Sequence, residues 1–187
     1  MSTSNDALPQ LVRSTLLQLG EDPGREGLLR TPERVAKCLR QLTAGYEADP
    51  VAILRSALFH EEHGGMVVVR DIEFYSLCEH HMLPFFGHVH IGYVPDGQII
   101  GLSKLPRAVD ALARRLQVQE RLTVQLRRCI DEALATKGTI VVVEAQHLCM
   151  QMRGVEKQGA ITRTTDFSGT FTDPAARAEF LATLKAR

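Results

Sequence analysis

Between residues 64 and 78, "GGMVVVRDIEFYSLC", the spacing of apolar side chains changes, and no other feature constrains the fold so tightly. Upstream the period is helical. Leu8, Leu11, Val12, Thr15, Leu16 and Leu19 recur on one face, with Gly20 placed to stop it. After the turn-rich "EDPGREGLLR", Thr31-Pro32 reads as an N-cap followed by proline at the first helical position, and Val35, Cys38, Leu39 and Leu42 form the buried stripe. Downstream the period shortens toward two. Residues 66–76 and 86–95 read as strands, with "DGQ" as a tight turn before "IIGL". Two helices follow, one through Leu105, Val109, Leu112 and Leu116, the other through Leu122, Leu126, Ile130 and Ala133, closed by Gly138. The segment "TIVVVEAQHLCMQMR" then reads as one long strand, and Asp173-Pro174 opens a last short helix. The pattern predicts an α+β fold, a mostly antiparallel sheet backed by helices. It divides into an N-terminal helical section, 1–50, and a larger domain, 51–187.

Composition narrows the function classes. The chain has 187 residues and is 44% apolar, enough to bury a core. It carries 22 basic and 22 acidic residues, so no overall field draws it to nucleic acid or an acidic membrane. No apolar run approaches the roughly 20 residues of a membrane span, and "MSTSNDALPQ" lacks the regions of a signal peptide. Cys38, Cys78, Cys129 and Cys149 lack the dense spacing of a disulfide scaffold. A cytoplasmic protein with reduced thiols is expected.

Such thiols are free to bind metal. "SLCEHHMLPF" places Cys78 and His81 three residues apart, close enough to aim a thiolate and an imidazole at one ion, and that donor pair suits zinc. Alone, this spacing is equally compatible with a structural role. In "AQHLCMQMR", strand alternation puts His147, Cys149, Gln151 and Arg153 on one face and Leu148, Met150 and Met152 on the core face. Cys149 is then either a small buried hydrophobe or the third member of a Cys78–His81–Cys149 site. Three protein ligands leave a position for water, the mark of a catalytic zinc. Cys38 and Cys129 fall on helical apolar stripes, and His80 and His147 remain as acid–base candidates.

Anion recognition has its own candidates. Ser103, Lys104 and Arg107 in "GLSKLPRAVD" mark a helix N-terminus, where free N–H groups favour anions. Arg153, Arg34 and Lys37 could add cations, although singly each also reads as a solvated surface residue. Gln119 and Glu120 open the second helix. Glu120 is either a first-turn carboxylate favoured by the helix dipole or an acceptor for a base's N–H and amino groups.

The segments "SLCEHHMLPFFGHVHIGYVP", "IGLSKLPR", "RRLQVQERLT" and "VVVEAQHLCMQMRG" closely resemble the GTP cyclohydrolase I family, in its order and over about residues 8–183. The resemblance implies conversion of GTP to 7,8-dihydroneopterin triphosphate and formate, the step that opens folate and tetrahydrobiopterin synthesis. It implies zinc on Cys78, His81 and Cys149, catalysis by His80 with His147 and Ser103 in proton transfers, and guanine recognition by Glu120 with Gln119 adjoining. Triphosphate and ribose contacts fall on Ser103, Lys104, Arg107 and Arg153, with Arg34 and Lys37 from the helical section. The implied fold is the tunnelling unit, assembled into a homo-oligomer, usually a decamer of two pentamers, with active sites between subunits. In the implied chemistry zinc activates water toward C8 of guanine and His80 protonates the ring nitrogen as the ring opens. A related purine or pterin enzyme, and a zinc-stabilised nucleotide- or pterin-binding protein of the same fold, are the competing readings.

Overall fold

The computed structural model describes residues 6–185; the ends of both expected sections, 1–5 and 186–187, and with them the first half of "MSTSNDALPQ", lie outside the described residues. The chain divides into two compact units that meet in sequence at Thr43 and Ala44. The first unit holds α1 (Leu8–Gln18) and α2 (Thr31–Leu42). Gly20, at φ 84°, adopts a left-handed backbone just past α1, as a helix-stopping glycine should. Two expectations for α2 shift by a position. Arg30 rather than Thr31 is the N-cap, no side chain caps the helix, and the buried residues are Pro32 and Ala36 rather than Cys38, which is exposed.

The second unit is built on a five-stranded sheet. It contains α3 (Pro50–Arg55), a short strand β1 (Leu58–His60), and the long strands β2 (Val67–Cys78) and β3 (Pro84–Pro95). β4 (Gln98–Ile100), α4 (Lys104–Ala113), β5 (Leu116–Gln117) and α5 (Gln119–Ala133) follow. The chain ends with β6 (Thr136–His147), a single helical turn α6 (Leu148–Gln151), β7 (Thr162–Phe167) and α7 (Pro174–Lys185). The main sheet runs β5-β2-β3-β6-β7, antiparallel except for the short β2–β5 pair, while β1 and β4 form a two-strand ribbon. The α+β class, its antiparallel sheet backed by helices and the N-terminal helical section are therefore as expected. Asp173 precedes α7 and accepts from the Ala175 N–H at 2.9 Å, so the final helix starts where the Asp-Pro pair placed it.

Burial explains why β6 reads as an unbroken apolar run. Val141, Val143 and Ala145 face the main core with Phe74, Phe85, Val89, Ile91 and Tyr93, packed under Leu105, Val109 and Leu112 of α4 and Leu122, Leu126 and Ile130 of α5. Ile140 and Val142 face the other way, onto Phe171 and Phe180. A strand covered on both faces has no polar side to show. Gly92 admits this second layer, since a Cβ there would come within 2.7 Å of the Phe180 ring. Polar ties lock α5 to the edge strand: Arg127 donates to Asp166 at 2.8 Å and Thr123 lies 2.6 Å from Thr164.

Three sequence boundaries move. Leu116 belongs to β5 rather than to the preceding helix, Gly138 lies inside β6 rather than closing α5, and β6 stops at His147. The expected alternation through Arg153 therefore fails. Residues 148–151 coil into one helical turn, and Met152 is 61% exposed instead of facing the core.

His90 is the one buried histidine among the described residues, 5% exposed on the α7 side of the sheet. A bulge in β2 sets Asp71 at φ 59°, and its N–H donates to His90 Nδ1 at 3.1 Å. Asp71 and Glu144 carboxylates stand 3.9 and 3.8 Å from the ring, and His88, Arg163 and Lys185 line the same 330 Å³ cavity. Burial lowers the His90 pKa, outweighing the two carboxylates that raise it. A depressed imidazole leaves stability intact above the unfolded value near 6.5 and removes it as pH falls through the folded value. Thermal melts at pH 7.5 and 5.5 should show a smaller acid loss for His90→Asn than for the wild type. Equal losses would assign the acid sensitivity to other groups.

Candidate metal centre

The β2–β3 connection is built to present donors. Cys78 ends β2 facing the core, and the chain reverses at once: the Cys78 N–H donates to Leu83 O at 2.9 Å, and the Met82 N–H to Cys78 O at 2.8 Å. Met82 takes φ 54°, a left-handed conformation uncommon away from glycine, and this closes the turn tightly enough for His80 and His81 to flank the thiol. Their Nδ1 atoms lie 3.9 and 3.8 Å from Cys78 Sγ. The turn is also held from outside. Glu79 receives Arg121 at both oxygens, at 2.5 and 3.0 Å, and its N–H donates to Gln117 O.

The second thiol comes from the far side of the sheet. β3 pairs with β2 through Leu77↔Pro84 and with β6 through Phe85↔His147, so β2 ends and α6 begins on adjacent rows. Cys149, inside α6, joins Cys78 and His81 in a group whose ligand atoms all lie within 4.8 Å of one another. Tetrahedral zinc with two sulfurs and a nitrogen needs donor separations of roughly 3.5–3.8 Å, so the 3.8 Å Cys78–His81 pair is at that spacing, and the whole group lies within 4.8 Å. The donor chemistry agrees. Burial, and then the neighbouring Cys78, raise the Cys149 thiol pKa, which a cation between the sulfurs would reverse. His80 also touches Cys78, but His81 is the imidazole that groups with both cysteines, while the His80 side chain is 64% exposed.

Around these donors stand several of the other expected residues. Arg153 Nη1 is 3.4 Å from His81 Nε2. The His147 ring stacks on Phe85 at 4.7 Å and 2°, and its Nε2 lies 2.8 Å from Gln119 Oε1. Burial lowers the His147 pKa, and the charge of Glu120 partly opposes this. Glu120 itself is exposed on the first turn of α5, while Gln119 is 1% exposed.

The same chain does not bring Ser103, Lys104 and Arg107 to this end. α4 finishes just before β5, whose Gln117 pairs with Cys78, so the N-terminal end of α4 stands a helix length away, about 15 Å for ten residues. Ser103 is its N-cap residue, with no side-chain cap bond. Arg34 and Lys37 are exposed on α2 of the first unit. Two supports escaped the sequence reading. The Glu79–Arg121 pair and the Phe85–His147 stack join residues 42 and 62 positions apart; Glu79 and Phe85 both lie inside the quoted stretch, but nothing local to it names their partners.

A family model for GTP cyclohydrolase I matches residues 8–185. The chain belongs to the GTP cyclohydrolase I family. GTP cyclohydrolase 1 of Porphyromonas gingivalis is 61% identical over 174 residues, covering 93% of this chain and 90% of that protein. The Bacteroides fragilis protein of the same name is 54% identical over 187 residues, covering 100% and 96%. That of Chlorobaculum tepidum is 58% identical over 176 residues, covering 94% and 79%. A solved structure of the archaeosine synthase QueF-Like in the apo form is 19% identical at a TM-score of 0.47, covering 58% of this chain and 97% of that one. Membership makes the chain an enzyme of this type, and it gives the cluster at the end of β2 a chemical context. No helix among the described residues is long and apolar enough to cross a membrane.

Metal analysis should find one zinc per chain, and Cys149→Ala should lose nearly all of it at neutral pH. Undiminished zinc in that variant would remove Cys149 from the ligand set.

Proposed function

We propose that this protein is a zinc-dependent GTP cyclohydrolase I that converts GTP to 7,8-dihydroneopterin triphosphate and formate. The observation that carries the reading is the three-membered Cys78–His81–Cys149 group with a second imidazole, His80, at its rim. Three protein donors suit a metal that keeps an open position for chemistry. Zinc held there would supply an activated water for addition at C8 of guanine.

The chain's own residues do the rest. His80, largely exposed and beside the metal ligands, protonates the ring nitrogen as the C8 bond breaks, and it can do so because an imidazole exchanges protons near neutral pH. Glu120 accepts from N1–H and the 2-amino group, two adjacent donors that adenine lacks. His147 and Ser103 serve the later proton transfers of ribose opening and ring closure. Lys104, Arg107 and Arg153, with Arg34 and Lys37, hold the triphosphate so that C8 faces the metal.

A second copy of the chain completes this site. The helix length between Cys78 and the α4 N-terminus supports that reading, because one GTP can use both only if a neighbour brings its own α4. The sheet also ends in two edge strands, β5 and β7, each with one side open to pairing. A closed ring of sheets, as in the decamer of two pentamers, would cover them. A metal centre on Cys78 and Cys149 needs both sulfurs reduced, in keeping with a cytoplasmic setting.

Formate release from GTP by the zinc-loaded protein is the deciding assay; binding of GTP without formate would leave the metal a structural role. Within that assay, His80→Ala should retain zinc and GTP binding and lose about 10²–10⁴-fold in turnover. Activity within a few-fold of wild type would move the proton donor elsewhere. Glu120→Gln should weaken GTP far more than ITP, which lacks the amino group. An equal loss on both nucleotides would return Glu120 to the helix start as an ordinary first-turn acid.

A further inference from the structure

Gln119 opens α5 with both ends of its amide engaged by the protein, in a cluster whose hydrogen-bond directions can all be assigned. Its nitrogen donates to the backbone oxygens of Val143 and Thr162 at 3.0 Å each, and lies 3.2 Å from Thr164 Oγ1. Carbonyl oxygens only accept, so this end of the amide must be the NH₂. The Thr123 hydroxyl donates to Gln119 O at 2.8 Å, which leaves the Thr164 hydroxyl to donate to Thr123 Oγ1 at 2.6 Å. The two amide hydrogens go to the two carbonyl oxygens, and Thr164 Oγ1, the more distant acceptor at 3.2 Å, can only share one of them.

The amide oxygen then faces His147 Nε2 at 2.8 Å. An amide oxygen cannot donate, so Nε2 must carry the proton, and a neutral imidazole with its proton on Nε2 has Nδ1 bare. The stack on Phe85 holds the ring plane, and the Phe85↔His147 pairing sets its height along the sheet. The amide contributes orientation without charge. A carboxylate in its place would favour the imidazolium.

We infer that Gln119 is a positioning residue that acts through His147: it fixes the Nε2–H tautomer, presents Nδ1 as the proton-accepting atom, and does not itself bind guanine. The link to turnover rests on the cyclohydrolase reading above, while the tautomer assignment stands without it. Neutron diffraction from deuterium-exchanged crystals of the wild-type protein tests the assignment directly. Deuterium on His147 Nε2, with none on Nδ1, is expected; deuterium on Nδ1 facing a bare Nε2 would overturn it. Gln119→Met keeps the volume and removes the acceptor. It should lower kcat for formate release by at least about tenfold, up to the roughly 10²–10⁴-fold that a general acid–base group supplies, with KM for GTP within about threefold. A raised KM with unchanged kcat would put Gln119 on the substrate and overturn the inference. If the variant does not fold, the neutron result on the wild type still decides the tautomer. If the wild type releases no formate, the cyclohydrolase reading fails while the neutron result stands on its own.

Discussion

Everything at the chemical end of this molecule depends on the register of β3 against its two neighbours. Leu77↔Pro84 on one side and Phe85↔His147 on the other place the end of β2 and the end of β6 on adjacent rows. A slip of one residue on either side would send Cys78 or His147 to the opposite face. The register is held where the sheet is most buried, by Phe85, Val89, Ile91 and Tyr93 against Val141, Val143 and Ala145, all at most 2% exposed. Core packing and metal geometry are thus one constraint. The strands deliver their apolar residues to the helices, and the ends of β2 and β6 bring Cys78 and, one turn on, Cys149 to the candidate metal centre.

A metal centre on turns needs those turns fixed, because a flexible chain would lose entropy on each closure. The protein fixes the 79–83 turn from three directions, through its own backbone bonds, the Gln117 carbonyl and the Arg121 guanidinium on Glu79. The exposed Glu79–Arg121 pair adds little by charge alone, but its two-point geometry resists rotation of the turn. On the β6 side the strand breaks at His147 into a single helical turn, and that break brings Cys149 round toward Cys78.

Much of this was legible in the sequence. The change from helical to strand spacing gave the α+β class, because each element shows one apolar face to a shared core and the period follows from backbone geometry. The donors in "SLCEHHMLPF" were legible because they sit within four residues, and chemistry that local survives any fold that keeps the turn tight. The boundaries at Leu116, Gly138 and His147 were not, since tertiary pairing of β5 and β6 overrides local propensity there.

What the sequence determined by itself is the inventory: two thiols, the imidazoles and Glu120, on elements whose type follows from periodicity. What only the tertiary structure decided is who meets whom. Cys78 and Cys149 are 71 positions apart and come together because the end of β2 and the helical turn after β6 flank β3. Gln119 meets His147 across α5 and β6, a buried contact that no local pattern marks. Ser103 and Lys104, chemically suited to phosphate, stand a helix length from the cysteines. Contacts that distant in sequence leave no local trace, because they are set by register and packing summed over the whole sheet.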